Sequence, residues 1–553
     1  MLLHLCLAWP GAGERGIIAE EVQPYLHHYP RVIDGDRPPG EPARLWPPHD
    51  SPSSEPPTPR WIGTGQWPQL AWQSRDRIWP VFVRGHQTAL GSWWGITLEP
   101  VLGGGITGVR RSSVLLGLLL LALLAAIAGR SGLAPPLALL AVLLCVLSPG
   151  LWFFTRTGYG FELASRVFML AALAIAARCK PLDLGRGAGL GLCIAAALLS
   201  RATIAVTLAP ALILLLVAPR RWPGPTRFLW PGVVGGVLAI ALVGAALTNL
   251  PFWPGTTPGA DLPLDELAAR TLAAPACLFI QLAWVVDPRL ILEPLVAGAT
   301  RVDLQRGLLP ALLGAIVLVT SLIRWWRGRS RDGERMFVAA ILSNSLLGAW
   351  LYGDPAQFQL AMALEPLFAL ALAEQLGALW PAHRRVTATL ITTLILARAL
   401  TLGSLWHTET QTANPMLSGQ AQRAVVTALE STDPSRVLTT DYNHAGVFEA
   451  WTAGRMHPLH GWPLLASRDR TTLQLQTAFG SILDRFTTCH VLFTVGDNLV
   501  AGEFSDPTTS RAGLERALSE RARTVHARQV LLSAAGKPAF ELWSLSGCES
   551  PPH

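Results

Sequence analysis

The chain alternates long apolar runs with short polar, arginine-bearing loops, and a polar stretch stands before the runs and another after them. Runs close to the ~20 apolar residues a bilayer-crossing helix needs fall at 109–129, 133–153, 160–177, 187–199, 202–218, 229–250, 307–326, 336–352, 357–379 and 386–406. Residues 1–9 (MLLHLCLAW) are apolar but too short to span, so they are expected to be the stump of a truncated first transmembrane helix. The pattern predicts a mostly α fold, a polytopic membrane helical bundle of about eleven transmembrane helices over 1–406. In 407–553 strand and helix signals mix, predicting a small α/β domain.

The loops set the orientation. Arg130, the Arg178–Lys180–Arg186 group, Arg220 and Arg221, the cluster Arg324 to Arg335, and Arg384 with Arg385 fall on one side, which is the cytoplasm by the positive-inside rule. Arg110 and Arg111 are the exception. Basic loops at both ends of 187–218 require an even number of crossings, hence two short helices with Arg201 at their outer tip. Residues 10–108, the turn at Arg156, Arg201, the loop 251–306 and the C-terminal domain then face the periplasm. Within 10–108, the Pro-rich 36–59 is expected to lack regular structure. The tryptophan-rich 61–102 is expected to lie on the bilayer as short helices. The apolar 274–299, interrupted by Asp287, Pro288, Arg289 and Glu293, reads as interfacial or re-entrant.

Composition agrees. Half of the 553 residues are hydrophobic, 21 are Trp, and the mean hydropathy is +0.36, too apolar for an ordinary soluble protein. Lys180 and Lys537 are the only lysines, so the net charge of +7 is carried by arginines that set topology, and no basic patch suggests nucleic acid. The seven cysteines show no CxxC spacing. Only Cys489 and Cys548 are placed to form a disulfide, which needs an oxidising compartment.

Candidate chemistry gathers on the outer face. The stretch 148–166 (SPGLWFFTRTGYGFELASR) is a polar, aromatic turn between two apolar runs and brings Arg156, Tyr159, Glu162 and Arg166 to the membrane edge. Ionisable groups there are costly unless they line a wet cavity, meet a charged ligand or anchor among headgroups. Glu20 and Glu21 follow the stump. Asp76 and His86 stand before an interfacial segment. His457 and His460, and the neighbours His27 and His28, lack a third ligand and read as loop residues. Deeper, Glu365 and Arg398 fall at equal depth in two successive helices and are expected to pair, while Glu374 is expected to reach the cytoplasmic surface.

An acidic pair after the first helix, a long outer first loop, short broken mid-chain helices and an outer C-terminal domain together resemble the GT-C superfamily of glycosyltransferases, most of all the family 39 type and related bacterial enzymes that use polyprenyl-phosphate sugars. The residues carrying the likeness are Glu20-Glu21, where the family has an Asp-Glu pair, and the runs 85–117, 153–178 (FFTRTGYGFELASRVFMLAALAIAAR), 198–221 (LLSRATIAVTLAPALILLLVAPRR) and 358–376. The resemblance covers most of 14–406. It implies transfer of a sugar from a polyprenyl-phosphate donor to a periplasmic glycolipid, polysaccharide or protein, with inversion, in the bacterial inner membrane. It assigns Glu20 or Glu21 as base; the residues themselves point to Arg156 and Arg201, at helix junctions on the outer face, for the phosphate, with Tyr159 and Glu162 beside them, and to Asp76 and His86 for sugar or acceptor. A divalent cation is the one cofactor this chemistry leaves room for. A transporter of a lipid-linked substrate, or a noncatalytic scaffold, are the rival readings. The first should show internal repeats, and none is found.

Overall fold

The computed structural model describes chiefly residues 1–10, 90–103, 106–157, 160–177, 184–217, 270–297, 304–352, 362–412 and 417–430, strands within 31–88, and most of 436–547; the run 229–250 lies outside them. After α1 (Leu2–Ala8) come β1 (Arg31–Ile33) and β2 (Leu45–Trp46), then an antiparallel meander of β3 (Arg60–Gly63), β4 (Leu70–Ser74), β5 (Arg77–Arg84) and β6 (Gln87–Thr88). This corrects two expectations. The Pro-rich segment contains a strand, β2. The tryptophan-rich segment is a sheet up to Thr88, and only α2 (Leu90–Leu102) is helical. The register sets Trp61 opposite Trp72 and Trp72 opposite Trp79; aromatic residues favour extended backbone, and interfacial preference does not distinguish a strand from a helix.

The bundle follows the apolar pattern more closely. It comprises α3 (Ile106–Arg130), α4 (Pro135–Val146), α5 (Pro149–Arg156), α6 (Gly160–Ala176), α7 (Leu184–Val217), α8 (Ala274–Val286), α9 (Arg289–Ala297), α10 (Leu308–Trp326), α11 (Asp332–Tyr352), α12 (Glu365–Leu379) and α13 (Arg384–Thr410). Among the described residues four helical stretches, 106–130, 305–326, 362–379 and 384–410, are long and apolar enough to cross a bilayer, and the pair α4–α5 makes up to five. That pair bends by 55°. Ser148 ends one helix and caps the next, accepting from the Gly150 amide at 3.1 Å, and Pro149 supplies a first-turn residue with no N–H to satisfy. The expected interruption at 287–289 separates α8 from α9, with Arg289 bound to Asp287 at 2.9 Å.

Close contact between helices rests on small residues. A Cβ at Gly314 of α10 would lie 2.5 Å from the Leu282 carbonyl oxygen of α8, so only glycine allows this approach. At the far end of the bundle Glu374 does not reach the surface as expected. It is fully buried, and its carboxylate accepts from the amides of Gly333 at 3.1 Å and Glu334 at 2.8 Å. These are unsatisfied donors of the α11 N-terminus, where a carboxylate is stabilised by hydrogen bonds and by the helix dipole.

Beyond the bundle lie α14 (Gly419–Leu429), β7 (Val437–Thr439), β8 (Leu459–His460), α15 (Thr472–Arg485), β9 (His490–Thr494), α16 (Pro507–Ser519), β10 (Val525–Leu532) and β11 (Pro538–Leu545). They form a mixed sheet in the order β10-β11-β9-β7-β8-β1-β2, so two strands from the first polar segment complete it. Val425 and Leu429 of α14 pack on one face with Leu492 and Phe540, joined by Ile106 and Val109 of α3. Phe479, Ile482 and Leu518 pack on the other with Val491 and Trp543. Cys489, just before β9, is disulfide-bonded; Cys548, its expected partner, lies outside the described residues.

Candidate functional site

The turn 148–166 and the break in α7 meet inside the bundle. Helix α6 carries Glu162 and Arg166 one turn apart, a spacing that stacks two side chains on one face. Their charged groups are 3.2 Å apart. Arg201 Nη1 donates to the other carboxylate oxygen of Glu162. All three side chains are buried, Glu162 completely, so one carboxylate is clasped by two guanidinium groups away from bulk water.

Arg201 reaches this position because α7 is not one continuous helix. Its backbone leaves the helical region at Arg201, with φ −157° and ψ 104°. A break of this kind inside an apolar bundle frees carbonyls that must find donors. The Ser165 hydroxyl, from α6, is shared between the carbonyls of Ala197 at 3.0 Å and Arg201 at 3.1 Å. The sequence placed the break correctly, but the Arg201 side chain is buried against Glu162 rather than displayed at an outer tip. Arg166 and Arg201 are therefore held in the protein interior, not among headgroups.

Arg156 has a different setting. Its guanidinium lies 4.8 Å from the Trp152 ring centre and 5.2 Å from that of Trp406, two rings stacked at 5.5 Å. This cation–π contact joins α5 to the C-terminal part of α13. Trp152 in turn donates its indole N–H to the Leu7 carbonyl at 3.1 Å, which docks α1 on the same wall.

Sequence reasoning did not foresee the partners of Glu365. Its carboxylate accepts from Ser148 Oγ at 2.6 Å and Trp284 Nε1 at 3.0 Å. A Cβ at Gly150 would lie 2.2 Å from Glu365 Oε1, so glycine is what lets this carboxylate approach α5. The expected ion pair with Arg398 is not made. Arg398 instead donates to the Val285 carbonyl, although both residues line one cavity of about 250 Å³. Equal depth along two helices does not fix direction around them, at 100° per residue. A smaller cavity on the other side of Glu365 is lined by Arg166 and Met362. Glu365 thus stands between the arginine cluster and the larger cavity.

Of the residues singled out in the sequence, Glu162 and Arg201 are brought together with Arg166, and Arg156 stacks on the tryptophans. Glu20, Glu21, Asp76, His86 and Tyr159 lie outside the described residues, as do His27, His28 and His457, while His460 is a buried residue of β8. Among the described residues no three His, Cys, Asp or Glu side chains converge to hold a metal ion.

No protein-family model and no curated protein matches the chain. Solved structures similar to it include ArnT from Cupriavidus metallidurans bound to undecaprenyl phosphate, with a TM-score of 0.44 and 14% identity over 100% of this chain and 98% of that one. The Archaeoglobus fulgidus oligosaccharyltransferase in its apo form gives 0.44 and 12% identity over 77% of this chain and 66% of that one. The arabinofuranosyltransferase AftD from Mycobacteria gives 0.43 and 13% over 84% of this chain and 36% of that one. These neighbours are GT-C fold glycosyltransferases.

Proposed function

We propose that this chain is a membrane glycosyltransferase that moves a sugar from a polyprenyl-phosphate donor to a hydroxyl or amine of a periplasmic glycolipid, polysaccharide or protein. The observation that carries the reading is the buried cluster of Glu162, Arg166 and Arg201, two guanidinium groups held on one carboxylate at a helix break. Guanidinium groups bind phosphate oxygens through parallel N–H donors, and a polyprenyl phosphate brings such a group into the membrane. The disulfide at Cys489 supports placing the C-terminal domain in the periplasm, outside an inner membrane, because such bonds persist in oxidising compartments.

In this reading the acceptor oxygen or nitrogen attacks the anomeric carbon, the bond from that carbon to the phosphate oxygen breaks, and the configuration inverts in one displacement. The acceptor proton goes to Glu20 or Glu21, and the charge growing on the departing polyprenyl phosphate is met by Arg201 and Arg166. Arg156, resting against Trp152 and Trp406, serves the same phosphate. Glu162 fixes both arginines, and Tyr159, Asp76 and His86 contact sugar or acceptor.

The test uses membranes bearing the full chain and a labelled polyprenyl-phosphate sugar, with bound donor and transferred sugar scored separately. Replacing the base, by Glu20→Gln or Glu21→Gln, is expected to lower transfer on the order of 100-fold with donor binding kept. Arg201→Ala is expected to weaken donor binding. Unchanged transfer in the double Glu20→Gln, Glu21→Gln variant would overturn the catalytic assignment.

A further inference from the structure

The cavity beyond Glu365 has a shape and chemistry of its own. Its lining on α12 runs from Glu365 through Phe368, Leu372 and Leu376 to Leu379, one helix face about 21 Å long at 1.5 Å per residue, most of the ~30 Å hydrocarbon core. Facing walls come from α10 and α13, the two spans with least of their apolar windows buried, 33% and 17%. Leu313 and Ile316 of α10 and Leu390 of α13 line it and are also exposed. The groove therefore opens sideways between α10 and α13, on surfaces that need lipid around them.

At one end Arg398 lines the groove with 8% of its surface exposed, and its Nη1 has no hydrogen-bond partner among the described residues. A buried donor of this kind calls for an acceptor. Glu365, across the same cavity, balances the charge of Arg398 and has both oxygens engaged, so the groove suits an uncharged acceptor carried on a hydrocarbon chain. Gln375, midway along, spends its amide hydrogens on the Val317 carbonyl and Ser321 Oγ, each at 2.9 Å.

We infer that the groove holds one acyl chain of a bilayer glycerophospholipid, with an ester carbonyl accepting from Arg398 Nη1. Such a lipid site would be separate from the arginine cluster, and it would stand whether or not the chain transfers sugar. The occupant is a glycerophospholipid rather than an anionic lipid phosphate because Glu365 cancels the charge that would hold a phosphate there.

The experiment reconstitutes the full chain in phosphatidylethanolamine–phosphatidylglycerol nanodiscs with a trace of phosphatidylethanolamine bearing a diazirine in mid-chain, and maps photolabelled residues by mass spectrometry. Labels are expected on the groove faces of α12 and α13. The ether-linked analogue, which lacks the carbonyl, should label them about tenfold less, the scale of one hydrogen bond to a charged donor. Leu394→Trp should fill the groove and remove the label, whereas Leu396→Trp, on the exposed side of α13, should not. Labels confined to outward faces, or equal labelling by ester and ether lipids, would overturn the inference. So would displacement by polyprenyl phosphate but not by unlabelled phosphatidylethanolamine. The ester–ether comparison uses the unaltered chain, so it holds even if a variant fails to fold.

Discussion

Glu162 is the residue that holds the site's two guanidinium groups together. Both contact its buried carboxylate, and breaking a buried pair costs roughly 3–5 kcal/mol. Glu162→Leu is therefore expected to destabilise the chain strongly, and Glu162→Leu combined with Arg166→Leu to cost less than the two single changes added together, because both remove the same pair. Thermal unfolding in detergent, read as a double-mutant cycle, checks this; strictly additive effects would show that the pair does not behave as described. The i, i+4 spacing of Glu162 and Arg166 was visible in the sequence, so their contact was legible. Arg201's share in it was not, since 39 residues separate it from Glu162 and nothing local sets that distance. Glu365 was misread for a related reason: its true partners, Ser148 and Trp284, sit on other helices.

Elements were more legible than residues wherever one long apolar run made one helix. The breaks at Arg201 and at 287–289 could be read as well, from charge and proline inside apolar sequence. Strands β1 to β6 could not, because their short, tryptophan- and proline-rich stretches carry no helix or strand period strong enough to decide. The α4–α5 bend adds a prediction of its own. It brings Gly150 against Glu365 so closely that a methyl group would collide with the carboxylate. Gly150→Ala is expected to cost about 1–3 kcal/mol, the scale of overpacking, and to loosen α12 from α5. Proteolysis or hydrogen exchange of 362–379 would register the change, and unchanged protection there would count against the contact.

For the whole molecule the pattern of arginine loops and the disulfide at Cys489 point to one arrangement. Reporter fusions at Arg329 and at Gly461 should give a cytoplasmic and a periplasmic signal respectively. A cytoplasmic signal from the second would overturn both the orientation and the proposed chemistry. The disulfide should contribute about 2–4 kcal/mol to the C-terminal domain, so Cys489→Ser is expected to lower its unfolding temperature in oxidising buffer and to leave it unchanged under reductant. The resemblance to GT-C glycosyltransferases was drawn from the order of loops and helices, which hydropathy reports. The shared sheet was not, because no hydropathy pattern reveals that a strand near residue 31 pairs with one near residue 459.

That pairing sets a timetable. Arg31 lies opposite Leu459, 459 − 31 = 428 positions later, and at about 5–20 residues per second of synthesis the first strand waits on the order of 20–90 seconds for its neighbour to be made. Throughout that interval every helix of the bundle is inserted while β1 has no β8 to join. The segment bearing β1 is thus made before the helices of the bundle and reaches its final form only after them. Its closure reports that the final domain has been delivered to the same side of the membrane. A chain cut short before residue 459 would leave that edge open, a ready mark by which a quality-control protease could tell unfinished molecules from finished ones.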